Sequence, residues 1–265
     1  MKLWYQSLAR QTESTPYGTI LRRVIQSCAD PGTSVHVQGI AEAAGIGVHY
    51  RFLEYQDMRE VIYNAIRAEK EGYDAFLIGN ITDAGIREAR EMVNIPVLGL
   101  GETSFHLACM MGVNFSIVTI SEKWTPRILE SVRRYGLDGR LIGVEALDTS
   151  PLDLKKAMVD DQHRERIVAD FMAAGERLLA RGAEVVVPAG GDIIVFLADA
   201  GIYEIGRAPI VNGIVELIKM SETAVKLKTI TGRFTSKRLS YAAPTGDFLE
   251  RIRKHYGADV YPGAR

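Results

Sequence analysis

Cysteine is scarce in this sequence, and the two that occur stand in no metal-binding pattern. Only Cys28 and Cys109 are present among 265 residues, and neither belongs to a Cys-x-x-Cys pair or lies beside clustered histidines. Structural zinc sites need ligands at such short spacings, so we expect no metal site. Cys109 lies in an apolar helical segment, which favours a buried structural thiol over a reactive one.

Long apolar runs and a strong net charge are also missing. No run approaches the ~20 residues of a membrane-spanning helix. The formal charge is -1 at pH 7, which gives no electrostatic basis for binding nucleic acid or an anionic membrane. The N-terminus enters Leu3-Trp4-Tyr5 without the apolar core of a signal peptide. We therefore expect a cytoplasmic protein whose partner is a small molecule.

Strands and helices alternate along the chain. Aliphatic and β-branched runs predict strands at 3–6, 34–40, 74–78, 95–101, 115–121, 143–147, 184–187 and 208–213. Helical spacing predicts helices at 16–29, 58–71, 84–92, 125–136, 163–181, 214–227 and 248–256, with another that begins near Thr103 or Ser104 as its cap. The predicted loop at 41–57 is long, and long loops often carry function.

Two segments of the chain have the same form. Gly72 precedes the strand at 74–78, and Pro96-Val97 follows 24 residues after it; Gly182 precedes the strand at 184–187, and Pro209-Ile210 follows 27 residues after it. Alternating strands and helices indicate parallel sheets. We predict lobes at 1–114 and 115–227 with a cleft between facing strand ends, and a tail at 228–265 that packs back on the core. One continuous sheet with an accidental likeness is the alternative.

Five segments in this order resemble the aspartate/glutamate racemase superfamily, and in particular its hydantoin-racemase-like branch. They lie at 72–78, 95–102, 118–120, 182–187 and 209–213. The resemblance implies an α/β fold of two pseudo-symmetric Rossmann-like lobes, each with a mainly parallel sheet. It also implies a substrate between the lobes and no cofactor. We further expect a homo-oligomer.

In that superfamily one cysteine from each lobe flanks the substrate, and the two thiols act as paired acid and base. The matching positions here are Asn80 and Gly190. Asparagine is not a base near neutral pH, and glycine has no side chain, so the two-thiol mechanism is excluded. Chemistry next to a carbonyl is still expected, as isomerisation, decarboxylation, elimination or ring opening. A racemase with other bases and a non-catalytic binding protein are the alternatives.

Other groups must then move protons. The candidate catalytic residues are Asn80, His49, Glu102, Asp83 and Asp192. Histidine has an ordinary pKa suited to acid–base work near neutrality, and an amide N–H stabilises an enolate oxygen. Each has a structural alternative: His49 as an exposed loop residue, Glu102 as a favourable charge at a helix start, and Asp83 or Asp192 as a helix cap.

Candidate substrate-binding residues lie at strand ends and in the predicted loop. They are Tyr5, Gln6, Ser7, Tyr50, Thr119, Ser121, Ala189, Gly190 and Gly191. Hydroxyl and N–H groups at strand ends and helix starts are good ligands for anions. Capping or edge packing is the alternative for Thr119 and Ser121, and a simple tight turn is the alternative for the two glycines.

Overall fold

Two parallel sheets organise the molecule. The computed structural model describes residues 1–10, 15–42 and 49–264. Its strands are β1 (Lys2–Arg10), β2 (Ser34–Ile40), β3 (Ala75–Ile78), β4 (Val97–Gly99), β5 (Phe115–Thr119), β6 (Leu141–Ala146), β7 (Val186–Ala189), β8 (Glu204–Ile205) and β9 (Ala208–Pro209). The first sheet has the order β2-β1-β3-β4 and the second β6-β5-β7, and all neighbours in both are parallel.

Helices connect and cover these strands. They are α1 (Pro16–Cys28), α2 (Arg51–Lys70), α3 (Ile86–Met92), α4 (Leu100–Met111), α5 (Thr125–Arg134), α6 (Pro151–Ala157), α7 (Asp161–Ala180), α8 (Gly191–Asp199), α9 (Ile214–Thr231) and α10 (Gly246–Tyr256). Within the described residues, no helix combines the length and apolar character needed to cross a membrane.

The two sheets repeat one arrangement. β1 and β5 are flanked by β2 and β6 on one side and by β3 and β7 on the other. Beyond β7, Ile210 forms a single parallel bridge to Val186, in the place that β4 takes beside β3. The prediction of two related parallel sheets is confirmed, and the alternative of one continuous sheet is wrong.

Several predicted boundaries are wrong, for local physical reasons. Residues 208–213 do not form one strand. Positive φ values at Gly206 (53°) and Arg207 (70°) make a turn that pairs Ala208–Pro209 with β8, and after it Ile210 forms only an isolated bridge to Val186. Neither Thr103 nor Ser104 caps α4, since Gly99 takes that position. The Ser104 hydroxyl instead donates to the carbonyl of Leu100 inside the helix, at 2.6 Å.

The ends of the predicted 41–57 loop also change. Helix α2 begins at Arg51 rather than at 58. The sequence pattern misses its first turns because they expose Phe52 and Tyr55 and so lack the buried apolar face that helical spacing detects. Residues 43–48 lie outside the described chain. Likewise β1 extends to Arg10, and β7 includes Pro188. Helix α8 begins at Gly191, two residues after the end of β7.

The last helix of the predicted second lobe packs across the molecule. Helix α9 contacts β3, β4, α1 and α4, all of which belong to the first half. The segment after it lies against α3, where the Lys237 ammonium donates to the carbonyl of Glu91 at 3.0 Å and the Tyr261 hydroxyl to the Glu91 carboxylate at 2.6 Å. The division at 114 and 227 stays a prediction.

Candidate active site

A cavity of about 700 Å³ opens where four strands end. Its walls include the carboxyl end of β1 and the residues that directly follow β3, β5 and β7. Open parallel sheets hold ligands at this edge, because the loops there converge around one space. Both positions that the resemblance assigns to thiols, Asn80 and Gly190, line this cavity, one from each half.

Six of the predicted site residues line the cavity: Ser7, His49, Asn80, Gly190, Gly191 and Asp192. The other eight do not: Tyr5, Gln6, Tyr50, Asp83, Glu102, Thr119, Ser121 and Ala189. The structure thus brings together the loops after β3 and β7, as the sequence pattern predicts.

Asn80 is oriented by its own turn. Its side-chain oxygen accepts from the backbone N–H of Thr82 at 3.0 Å and contacts the Thr82 hydroxyl. With the oxygen engaged in this way, the NH₂ group is the part of the amide available to a ligand, and it can only donate.

His49 is held by an indole. The Trp124 N–H donates to His49 Nδ1 at 2.9 Å, and the two rings meet edge to face. Burial lowers the pKa of His49, and the charges of Arg127 and Lys123 lower it further. The imidazole is therefore neutral at pH 7 and carries its proton on Nε2. Because Nδ1 is already an acceptor for the indole, His49 presents a hydrogen-bond donor rather than a base.

Asp192 is the carboxylate of the cavity wall. It lies in the first turn of α8, two residues after Gly190, and burial raises its pKa to about 6 against the opposing effects of its own backbone N–H and of Lys155. Tyr17 and Ser7 also line the cavity, and the Ser7 hydroxyl partly offsets the rise in the pKa of Tyr17. Burial and the nearby Asp192 raise the pKa of Tyr17, so its hydroxyl stays protonated. This wall holds a proton acceptor beside a donor.

Close packing fixes both glycines of the loop after β7. A Cβ on Gly190 would lie 2.3 Å from Cγ2 of Ile120, and a Cβ on Gly191 would lie 2.9 Å from the Tyr17 hydroxyl. Gly190 has φ 176°, an extended conformation open to any residue, so the neighbour and not the backbone demands glycine. Ile120 fills the room that a side chain at 190 needs.

Asp83 and Glu102 are engaged away from the cavity. The buried Asp83 carboxylate accepts from the N–H groups of Gly101 (2.9 Å) and Glu102 (2.7 Å) at the start of α4, and from the Tyr135 hydroxyl (2.6 Å). Burial raises its pKa to about 7. Glu102 forms a two-pronged ion pair with Arg90. The contacts of Asp83 are those of a helix cap, one of the two roles considered for it.

The remaining predicted ligands are buried or face elsewhere. Gln6 is fully buried, accepts from Trp4 and Asn64, and donates to the Ser7 carbonyl. Thr119 donates to the Ala189 carbonyl at 3.2 Å, which ties β5 to β7 behind the cavity.

Tyr5 is fully buried, and its hydroxyl has no hydrogen-bond partner within the described residues. Ser121 precedes the turn that carries Trp124, and Tyr50 is exposed with its ring against the Lys123 ammonium.

Sequence reasoning missed four cavity residues of chemical interest: Arg10, Tyr17, Trp124 and Lys155. Tyr17 follows Pro16 at the start of α1, and Lys155 lies on α6, in a stretch outside the helices predicted from the sequence. A signal for Lys155 existed in Ser150-Pro151-Leu152-Asp153, a capping box that fixes a helix next to β6. Across the described residues, no group of three or more His, Cys, Asp or Glu side chains is placed to hold a metal ion.

The fold and the cavity define a class: a two-lobed α/β protein whose ligand site lies between related sheets. A model of the Asp/Glu/hydantoin racemase family matches residues 19–220. The chain is 29% identical over 191 residues to a hydantoin racemase of Pseudomonas sp. (strain NS671), a match that covers 72% of each chain. The chain therefore belongs to the Asp/Glu/hydantoin racemase family, and it is a racemase-superfamily enzyme.

Solved structures show the same fold. An allantoin racemase from Pseudomonas fluorescens superposes with a TM-score of 0.77 at 23% identity, covering 93% of this chain and 98% of that one. An allantoin racemase from Klebsiella pneumoniae gives 0.75 at 22% identity, covering 94% and 98%.

Proposed function

We propose that this enzyme acts, without a cofactor, at the carbon next to a carbonyl of a small carboxylate, hydantoin or related ring. It moves the proton with one carboxylate instead of two thiols. The observation that carries this assignment is the contrast between the two thiol positions. Asp192 beside Gly190 has a pKa of about 6, whereas Asn80 in the other half has no titratable group.

Each cavity group then has a role that its contacts support. The Asp192 carboxylate takes the proton from the carbon, and the electron pair moves onto the carbonyl oxygen. Asn80 Nδ2 and His49 Nε2 donate to that oxygen as its charge develops, which is the usual means of stabilising an enolate. Lys155 and Arg10 also line the cavity, and their positive charges suit an anionic substrate.

A single base favours outcomes in which only one face of the carbon exchanges its proton. Isomerisation and elimination fit this restriction with the Asp192 carboxylate as the base. Decarboxylation fits it in the opposite direction, because the carbon loses CO₂ and then takes a proton from the protonated form of Asp192. Ring opening at the carbonyl needs no proton exchange at that carbon. Racemisation needs an acid on one face and a base on the other, and Asn80 supplies neither. We therefore assign an isomerase, lyase or ring-opening reaction in preference to a two-thiol racemase.

The test is an activity screen across dicarboxylates, hydantoins and lactams, with products identified by NMR, followed by Asp192→Asn on any substrate found. Loss of the base is expected to lower turnover by about 10²–10⁴-fold. For the wild type, kcat/KM is expected to rise with pH through about 6, where Asp192 loses its proton. Asp199→Asn, at the other end of α8 and paired with Arg23, is the matched control. Equal loss in both variants, or full activity in Asp192→Asn, contradicts the assignment.

Racemisation with non-cysteine bases is the second candidate, favoured by the names of the relatives. Solvent deuterium exchange separates the two. A single base at Asp192 predicts exchange at the stereocentre of one enantiomer only, whereas a racemase exchanges both. Ligand binding without turnover or exchange on the whole panel would instead support the non-catalytic alternative.

A further inference from the structure

An uninterrupted set of contacts joins the two donors of the cavity through residues that, for the most part, do not line it. In order, its members are Asn80, Thr82, Glu54, Arg127, Trp124 and His49, here called the donor network. The Thr82 hydroxyl lies 2.6 Å from Glu54 Oε1, and the other oxygen of Glu54 forms an ion pair with Arg127. The Arg127 guanidinium lies over the Trp124 ring, 4.7 Å from its centre.

The ion pair at the middle of the donor network links the halves of the molecule. Glu54 lies on α2, whereas Arg127 lies on α5, and their side chains are only 16% and 7% exposed. A charge removed from water to this degree costs much free energy unless its partner holds it in place. The pair therefore adopts a narrow range of geometries and can restrict the orientation of the side chains in contact with it.

We propose that Glu54 and Arg127 are positioning residues that orient the two donors, Asn80 and His49, toward the cavity. This role rests on the proposed function, because only a reaction at a carbonyl needs both donors aimed at one oxygen. Neither residue lines the cavity, so neither is catalytic. Arg127 acts through the indole that holds His49 Nδ1, and Glu54 acts through the hydroxyl that contacts the Asn80 oxygen.

A purely structural clamp is the competing explanation, and the chain offers a matched control for it. Arg51 and Glu130 form a two-pronged ion pair at 2.9 and 2.7 Å between the same helices, α2 and α5. Their side chains are 60% and 54% exposed, and the hydrogen bonds that join them involve neither Thr82 nor Trp124. Glu130→Gln therefore removes an ion pair between the halves while every contact of the donor network stays in place.

The experiment is NMR of the imidazole nitrogens and of the Trp124 indole N–H, in the wild type, Arg127→Met, Arg127→Lys and Glu130→Gln. In the wild type we expect His49 neutral at pH 7 with its proton on Nε2. In Arg127→Met we expect a higher pKa for His49, since one of its two facing cations, Arg127 and Lys123, is gone. We also expect a shifted indole resonance and a mixture of tautomers.

Arg127→Lys keeps the charge and should retain most of the wild-type His49 signal, while Glu130→Gln should leave it unchanged. An Arg127→Met protein with wild-type His49 tautomer, pKa and indole resonance overturns the positioning role. So does an equal change in Glu130→Gln.

Glu54→Gln tests the Asn80 end of the donor network through the resonances of the Asn80 side-chain NH₂ group. It also tests the positioning role independently if Arg127→Met fails to fold. A shift of these resonances supports the positioning role, and their constancy overturns it. The readout needs no substrate, so its failure is distinct from failure of the proposed reaction.

Discussion

At residue 190 a glycine stands beside Ile120, whose side chain fills the space that a larger residue would use. A cysteine at this position would place its Cβ 2.3 Å from Ile120 Cγ2. We expect Gly190→Cys to lower the free energy of unfolding by about 1–3 kcal/mol through overpacking, and Ile120→Ala to lower it by about 2–5 kcal/mol. In the double variant the two costs should partly cancel, giving a coupling of about 1 kcal/mol or more in urea unfolding. Strictly additive costs contradict this account.

Some residues of the site can be predicted from the sequence, whereas the role of others depends on contacts made only in the fold. The family resemblance assigns Asn80 and Gly190 to equivalent positions after two similar strands, and both line the cavity, because equivalent strand ends of related sheets face the same space. The role of Glu102 cannot be predicted from its place in the sequence. Its ion pair with Arg90 depends on how α3 packs beside β4, and nothing in the local spacing indicates that contact.

Among the elements, the start of α4 depends on one carboxylate. Asp83 caps this helix, and the glycines around it provide the room: a Cβ on Gly99 or Gly101 would lie 2.2 or 2.9 Å from the Asp83 oxygens. The glycine-rich end of β4 thus receives a side chain of the same lobe, the Asp83 carboxylate. The sequence shows that glycines permit close approach, but only the fold shows what approaches.

Asp83→Asn replaces an acceptor of two backbone N–H groups by an amide, so we expect a loss of about 2–4 kcal/mol in unfolding free energy. The pKa of Asp83 is raised in the folded protein to about 7. Its proton linkage therefore stabilises the fold fully below about pH 4, and this contribution disappears as the pH rises through 7. The cost of Asp83→Asn should accordingly be smaller at pH 8 than at pH 5, by about 2 kcal/mol. Urea unfolding at both pH values measures this, with the exposed Asp138→Asn as control; an equal cost at the two pH values contradicts it.

On the scale of the whole molecule, α2 has two distinct faces. One carries Glu54 of the donor network, and the other exposes an aromatic stripe of Phe52, Tyr55 and Tyr63, which are 69%, 63% and 46% exposed. Their spacing places them on one side of the helix. Clustered aromatic side chains in contact with water are typical of protein interfaces. The stripe supports the expectation that the chain forms a homo-oligomer.

If a second copy covers this stripe, Phe52→Ser with Tyr55→Ser should lower the mass measured by size-exclusion chromatography with light scattering to that of one 29.3 kDa chain. Phe248→Ser, which removes an aromatic ring that is 62% exposed on α10, is the matched control and should leave the assembly intact. A monomeric wild type, or an unchanged mass in the double variant, contradicts this interface. Because the same helix carries Glu54, loss of assembly should also shift the Asn80 and Trp124 NMR signals, which would show that pairing of chains and orientation of the cavity donors depend on one element.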